Sequence, residues 1–231
     1  TEIEEAAIDF EEDDSNKLNT ITISNGVLDI EPIERKELDS IEMYYNNKTF
    51  KSVNKLIKSI NKSEKTINIL SGEKGTGKTN IINYLSSKLD RITIYIPNNM
   101  IELTINNPEF SKFLKRFHKP IITIDDCELL FNDTFSSSNL LSNSIIQMID
   151  GLNGLDASFI MIYNSSVDDI DDNILTSNSP VNIVEFNLLD VEEANELSNL
   201  LGFKGKYENK TKLVDIIRNR KKSTNMKIGF L

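Results

Sequence analysis

The chain has very few of the residues that build disulfides and histidine metal sites. Its 231 residues include one cysteine, one histidine and no tryptophan. A single cysteine, Cys127, excludes an internal disulfide framework and fits a reducing compartment. A single histidine, His118, excludes a metal cluster built from histidines. We interpret Cys127 as a small buried packing residue, and His118, which stands among basic residues, as part of a solvated helix end.

Long apolar runs and secretion signals are also missing. No hydrophobic run approaches the roughly 20 residues that a membrane-spanning helix needs, and no signal-peptide pattern is visible. The hydrophobic content of 39% is enough for a packed core. These features indicate a cytoplasmic globular protein without a membrane partner.

Acidic and basic side chains are concentrated at opposite ends of the chain, whose net charge is −10. Residues 1–40 hold thirteen acidic and three basic side chains, whereas residues 202–231 hold nine basic and two acidic ones. Both ends fit solvated tails, and they also fit an acidic arm of one subunit that meets the basic end of another. The central portion has no basic stripe, so general nucleic-acid binding is not expected.

Residues 72–79 read GEKGTGKT and match the phosphate-binding pattern G-x-x-x-x-G-K-[ST]. Glycines let the backbone curl so that its N–H groups point at phosphate oxygens. Lys78 is expected to reach the β- and γ-phosphates, and the Thr79 hydroxyl to bind Mg²⁺. The expected nucleotide-binding residues are Gly72, Glu73, Lys74, Gly75, Thr76, Gly77, Lys78, Thr79 and Asn80.

The residues that flank this loop support the same interpretation. Residues 66–70 alternate as a short strand does, and residues 80–89 place an apolar stripe on one face of a helix. A lysine-rich surface turn, the alternative, would lack that context. The start of the helix adds the positive end of its dipole. The sequence therefore predicts a site for a nucleoside triphosphate.

Strands and helices alternate from Lys65 onward. This order predicts an α/β fold in which a parallel sheet is sandwiched by helices. Ligands on such sheets bind at the carboxyl ends of the strands, where the glycine loop falls. The predicted strands are residues 67–70, 91–96, 121–124, 159–163 and 181–186, and the predicted helices are 51–60, 79–89, one from 108, 142–152 and one from 191.

Two smaller segments flank the α/β core. Asn25-Gly26 separates two β-prone runs and predicts a hairpin. The segment after residue 190 is short, basic at its end and partly helical. We divide the chain into an acidic N-terminal arm with the hairpin (1–45), a P-loop core (46–190) and a minimal helical C-terminal lid (191–231).

Two carboxylates follow the buried strand at 121–124. We expect Asp125 to hold Mg²⁺ through water or beside the Thr79 oxygen, since this ion prefers oxygen ligands and retains waters. We expect Asp126 to orient and polarise the attacking water, a role in which Glu is commoner. A loop cap or a turn is the alternative for such a pair.

Asn164 follows the strand predicted at 159–163. A polar amide at that strand end would hold the attacking water against the γ-phosphate. Asn is also a frequent turn residue after a strand. The catalytic interpretation of Asn164 therefore depends on its order along the chain, after the glycine loop and the two carboxylates.

Five segments follow one another in a specific order within residues 50–200. They are GEKGTGKT at 72–79, IITIDDCE at 121–128, SIIQMIDGL at 144–152, FIMIYNSS at 159–166 and IDDNIL at 170–175. In this order they resemble the AAA ATPases, the ring-forming P-loop ATPases of diverse cellular activities. Within that family the chain resembles the Bcs1-like branch and its short viral relatives.

The resemblance implies several further expectations. The loop corresponds to Walker A, the carboxylate strand to Walker B, and Asn164 to the sensor-1 asparagine. The cofactors would be ATP or ADP with Mg²⁺. The chain would form a homo-oligomeric ring and act on an unknown protein partner, with the acidic N-terminal arm as the candidate contact. A viral member would work in the host cytoplasm or the virion.

One segment departs from the family pattern. Family members usually carry arginine fingers after the segment that matches 170–175, but residues 176–182 read TSNSPVN. An arginine finger contributes about 10³–10⁵ in rate, so turnover without a substitute would be slow. Arg116, Arg218 and Arg220 are the candidate substitutes, and a solvated charge is the alternative for each.

Two classes of function therefore remain open. The first is an ATP-hydrolysing ring protein that remodels or assembles a protein partner. The second is a structural or assembly subunit that keeps the nucleotide site with slow or no turnover. A DNA-directed loader or helicase fits the fold but not the charge.

Overall fold

Most of the chain is described by a computed structural model. It describes residues 18–34, 41–62, 65–127, 138–150, 155–170, 172–176, 178–202 and 206–226. The acidic residues 1–17 and Arg35 lie outside this set. Among the described residues, no helix has the length and apolar character required to cross a membrane.

Seven strands of the described residues form one sheet in the order β2-β1-β4-β5-β6-β3-β7. All neighbours pair in parallel except β1 and β2. The predicted α/β fold with a parallel sheet between helices is thus confirmed. The strands are β1 (Leu18–Ser24), β2 (Val27–Pro32), β3 (Ile67–Ser71), β4 (Thr93–Ile96), β5 (Ile121–Ile124), β6 (Ser158–Ile162) and β7 (Val181–Glu185).

The helices cover both faces of this sheet. They are α1 (Asn47–Lys62), α2 (Lys78–Lys88), α3 (Ile101–Ile105), α4 (Phe110–Leu114), α5 (Ser138–Ile149), α6 (Asp172–Leu175), α7 (Val191–Leu200) and α8 (Leu213–Met226). The predicted helix at 142–152 begins earlier, at Ser138, and its last predicted residues, 151 and 152, lie outside the described residues. The strand predicted from Arg91 begins at Thr93.

The core forms two apolar layers because successive strand residues point to opposite faces. One layer joins Ile67 and Ile69 of β3 to the face covered by α3, α4 and α5. The other joins Leu70 to the face covered by α1, α2, α7 and the start of α8. Cys127 is buried, as predicted, and its Sγ lies 3.2 Å from the Ile124 carbonyl oxygen. His118 is exposed, also as predicted.

Strand β3 is buried on both faces, as central parallel strands are. The polar residue in it, Asn68, is therefore fully buried, and its amide donates to Thr66 Oγ1 and to the Phe159 carbonyl, each at 2.9 Å. Asn182 of β7 donates to Asn68 Oδ1 at 2.9 Å. In the sequence, these polar residues look like the solvent-facing positions of an alternating strand. In the structure, their side chains form hydrogen bonds inside the sheet.

The hairpin predicted at Asn25-Gly26 is confirmed. Both residues have positive φ, 53° and 78°, as a two-residue hairpin turn requires. β1 also pairs in parallel with β4, with Leu18 opposite Thr93. The hairpin, which the sequence analysis placed in an arm before the core, thus extends the core sheet. The boundaries at residues 45 and 190 stay predictions.

Candidate functional site

The sheet topology brings the predicted site residues together at one edge. β6 lies between β5 and β3, so the carboxyl ends of all three strands are adjacent. The glycine loop follows β3, the two aspartates follow β5, and Asn164 follows β6 by two residues. The asparagine therefore stands between the loop and the aspartates.

The glycine loop has a backbone that only glycine adopts easily. Gly72 has φ 137°, and a Cβ built there would lie 2.2 Å from the Phe186 carbonyl oxygen. Gly77, just before α2, has φ 102°, and a Cβ there would lie 2.8 Å from both Leu213 and Tyr45. Left-handed backbone and close packing together demand glycine at both positions. The motif glycines thus shape the loop and fit it against its surroundings.

Lys78 begins α2 and turns back over the loop. Its Nζ donates to the carbonyl oxygens of Gly72 at 2.5 Å and of Glu73 at 2.9 Å, and the residue is 3% exposed. Thr76 Oγ1 donates to the same Glu73 carbonyl at 2.9 Å. The ammonium group is therefore held inside the loop, where phosphate oxygens would also approach it.

Three contacts from distant parts of the chain support the loop. Tyr45 Oη donates to the Gly77 carbonyl at 2.8 Å. The Val214 N–H at the start of α8 donates to the Gly75 carbonyl at 3.0 Å. Lys212 Nζ lies 3.0 Å from Glu73 Oε2. These contacts could not be predicted from the sequence, because nothing local in it places α8 on the loop.

Both carboxylate oxygens of Asp125 accept hydrogen bonds. Oδ1 accepts the N–H of Asp126 at 2.9 Å, and Oδ2 accepts the Tyr95 hydroxyl at 2.9 Å. Thr79 Oγ1 lies 3.5 Å from the same Oδ2, at the outer limit of a hydrogen bond. The two predicted Mg²⁺ ligands, Thr79 and Asp125, are therefore neighbours.

Asp126 is held between two asparagine amides. The Asn164 amide donates to Oδ1, and Asn98 Nδ2 donates to Oδ2 at 3.1 Å. Asp126 also has a φ of 50°, a left-handed conformation that is uncommon outside glycine. The structure thus brings the two predicted catalytic residues, Asp126 and Asn164, into direct contact and adds Asn98, which the sequence analysis missed.

A cleft of about 400 Å³ opens between these groups. One wall is polar and the other is the apolar side of the first turns of α8. Gly72, Glu73 and Thr76, which were also predicted to bind nucleotide, are not among the lining residues. The cleft is lined by Lys74, Gly75, Gly77, Lys78, Thr79, Asn80, Asp125, Asp126, Asn164, Leu213, Val214 and Ile217.

The donor set fits a nucleotide-bound Mg²⁺. Mg²⁺ takes oxygen ligands and usually keeps several waters, with one or two protein groups and phosphate oxygens completing its shell. The Thr79 hydroxyl and the Asp125 carboxylate supply two such oxygens beside the loop that would hold the phosphates. Within the described residues, no group of three or more His, Cys, Asp or Glu is arranged to hold a metal by itself.

Among the described residues, those that line the cleft include no arginine. Arg116 is exposed, and its guanidinium lies 5.6 Å from the centre of the Phe113 ring, in the segment that leads to the amino end of β5. Arg218 is exposed on α8, one residue after Ile217. The Arg220 side chain lies outside the described side chains. No substitute for an arginine finger is therefore in place within the described part of this single chain.

Comparison with known proteins gave one family match. The family described as ATPase family associated with various cellular activities (AAA) matches residues 68–188, about half of the chain. A search of curated proteins found no match. The matched range contains the loop, both aspartates and Asn164. The chain therefore belongs to the AAA family of ATPases, and its glycine loop is that of an ATP-binding protein.

Proposed function

We propose that the chain binds ATP with Mg²⁺ in this cleft and hydrolyses it slowly. The observation that carries the proposal is that Lys78, Asp125, Asp126 and Asn164 line one cleft, although they belong to segments that follow three different strands. Such an arrangement supports phosphoryl transfer to water, because it combines phosphate binding, metal ligands and a base.

Each side chain has a defined part in the proposed reaction. Lys78 and the loop N–H groups hold the phosphates, and Thr79 with Asp125 holds Mg²⁺. Bound Mg²⁺ would neutralise charge that develops on the phosphate oxygens. These groups fix the γ-phosphate in place by positioning and electrostatics.

Asp126 is the proposed base. Each of its oxygens accepts one amide hydrogen bond, and a carboxylate oxygen has a second lone pair for a water proton. Water then attacks the γ-phosphorus, its proton passes to Asp126, and ADP leaves. The Asn164 amide orients Asp126 and is placed to contact the same water.

Slow turnover by the single, unassembled chain is expected because the described lining of the cleft holds no arginine. An arginine finger contributes about 10³–10⁵ in rate, and none of the arginines whose side chains the structure describes lines the cleft. We propose that assembly into a homo-oligomeric ring supplies the arginine finger, through Arg116, Arg218 or Arg220 of a neighbour. Assembly or remodelling of a protein partner, a cytoplasmic location and the narrower Bcs1-like or viral assignment belong to the same proposal.

The same absence favours a second candidate function. A subunit that binds nucleotide without turnover would use it to order the contacts between subunits. Lys78 and Asp125 would then act in binding alone. The two candidates differ in whether the hydrolysis rate per chain rises with assembly.

Binding and hydrolysis measured separately test both candidates. We expect Asp126→Asn to keep affinity for a fluorescent ATP analogue within about threefold and to lower the hydrolysis rate by about 10²–10⁴. Lys78→Ala should weaken binding itself. Asp29→Asn, an exposed carboxylate on β2, is the matched control and should change neither.

The rate is measured across protein concentrations. A rate per chain that rises with concentration supports the ring ATPase. Tight binding with no turnover at any concentration supports the scaffold subunit. An absence of nucleotide binding by the unmodified protein contradicts both.

A further inference from the structure

Tyr95 contacts the predicted pair of Mg²⁺ ligands, although it belongs neither to the glycine loop nor to the aspartates and asparagines of the site. It is the third residue of β4, and its hydroxyl donates to Asp125 Oδ2 at 2.9 Å. That oxygen is also the one that lies 3.5 Å from Thr79 Oγ1. The hydrogen bond from Tyr95 is therefore made to the Asp125 oxygen that faces Thr79, the second predicted metal ligand.

The sheet register explains how the hydroxyl reaches this atom. Tyr95 lies opposite Thr123 in the parallel β4–β5 pair, so the two side chains share a face of the sheet. Asp125 comes two residues after Thr123 and leaves on the same face. A tyrosine side chain is long enough to reach from its position opposite Thr123 to the carboxylate of Asp125, two residues further along the neighbouring segment.

Packing of the ring keeps the Tyr95 hydroxyl in place. The ring is partly buried and packs against the apolar layer under α2. The phenolic O–H is a hydrogen-bond donor and the carboxylate an acceptor, so the 2.9 Å contact holds the Asp125 side chain in one orientation.

We propose that Tyr95 is a positioning residue that fixes the Asp125 carboxylate for Mg²⁺. The inference rests on the proposed function, since it concerns the metal that accompanies the nucleotide. Without the hydroxyl, Oδ2 is free to turn away from Thr79, and the pair loses its arrangement for one ion. Outer partners of metal ligands typically change metal affinity by 10–100-fold when they are removed.

Tyr95→Phe tests this because it removes the hydroxyl and keeps the ring. The Mg²⁺ concentration for half-maximal enhancement of fluorescent ATP-analogue binding is measured, and Mn²⁺ binding in the presence of nucleotide is followed by electron paramagnetic resonance. We expect both midpoints to rise 10–100-fold. Analogue affinity in EDTA should stay within about twofold. Tyr84→Phe, on α2 against the Phe50 ring, is the matched control and should shift neither midpoint.

A double-mutant cycle separates positioning from general damage. With Asp125→Ala as the background, Tyr95→Phe should add less than about twofold to the metal midpoint, because the carboxylate that the hydroxyl would hold is already absent. Equal shifts in both backgrounds would overturn the inference. So would an unchanged midpoint in Tyr95→Phe alone, or a Tyr95→Phe variant that loses its fold by circular dichroism.

The same titrations distinguish this inference from the proposed function. An unmodified protein that binds the analogue, together with a Tyr95→Phe variant whose metal midpoint does not move, rejects the role of Tyr95 alone. An unmodified protein that binds no analogue with or without metal rejects both.

Discussion

At the scale of the residue, backbone geometry explains why the loop tolerates so little change. Gly72 and Gly77 have positive φ, and the atoms around them leave no room for a methyl group. These are structural demands that exist before any phosphate is bound. The glycines of the motif are therefore expected to matter for folding as well as for nucleotide affinity.

Gly72→Ala tests this demand. The new Cβ would lie 2.2 Å from the Phe186 carbonyl oxygen in a chain segment with φ 137°, so we expect a loss of about 2–4 kcal/mol in the free energy of unfolding. Gly26→Ala is the control, because its φ is also positive, 78°, but nothing lies within 4 Å of its Cβ. Its cost should be about 1 kcal/mol. Urea denaturation measures both, and equal costs would contradict the packing argument.

The residues predicted for the site lie together, but most of the contacts between them were not predicted. The predicted residues Lys78, Thr79, Asp125, Asp126 and Asn164 all line one cleft. The position of Asn164 after a strand predicts that its amide holds the attacking water, and the structure shows that this amide donates to Asp126. Such a contact depends on which strands are neighbours, which the local sequence does not state.

At the scale of the element, the hairpin shows how tertiary contacts change an interpretation made from the sequence. The sequence places it in an N-terminal arm, whereas in the structure it is part of the core sheet. Its turn residues predict β1 and β2 correctly. Its apolar residues then decide its place, because Leu18, Ile21 and Leu28 are at most 5% exposed in the core. The hairpin thus covers β4, which would otherwise be an open edge of the sheet.

Ile21→Ala measures how firmly the hairpin is part of the fold. Ile21 is 2% exposed, and removal of a buried isoleucine side chain costs about 2–5 kcal/mol. Val27→Ala, at the turn end of β2 and 67% exposed, should cost less than about 0.5 kcal/mol. The measurement is urea denaturation followed by circular dichroism. A cost below about 1 kcal/mol for Ile21→Ala would mean that the hairpin is an appendage.

The start of α8 shows a similar dependence on context. The sequence predicts a short helical lid but not its contact with the loop. That contact includes a hydrogen bond from the Val214 N–H to the Gly75 carbonyl, which any residue except proline could donate. The Lys212–Glu73 pair is partly exposed, and such pairs contribute little. Buried Leu213 packs beside Gly77 and is the stronger link between α8 and the loop.

At the scale of the whole molecule, the charge distribution bears on assembly. The acidic side chains of residues 1–40 and the basic ones of residues 202–231 have opposite sign. We propose that these ends meet between neighbouring subunits of a ring. Interactions between exposed charges weaken as salt shortens the screening length, from about 10 Å at 0.1 M to about 3 Å at 1 M.

Sedimentation velocity in the presence of nucleotide tests the pairing of the two ends. We expect self-association to weaken between 50 and 500 mM NaCl, and to weaken at low salt when residues 11–14 are changed to their amides. The control is the double variant Asp90→Asn/Glu102→Gln, which changes two exposed acidic residues between residues 46 and 190. It should leave association unchanged. An oligomer that persists unchanged in 500 mM NaCl contradicts the pairing.

The sequence by itself determined the glycine loop, the helix after it, the carboxylates at a strand end and the α/β fold. These features are local, because residue spacing and backbone preference specify them within a few residues. The tertiary structure alone decided that β6 lies between β5 and β3, that β1 pairs with β4, and that Tyr95, Asn98 and α8 join the site. Pairing between distant segments depends on how complete faces are buried together, and no short stretch of the sequence encodes that.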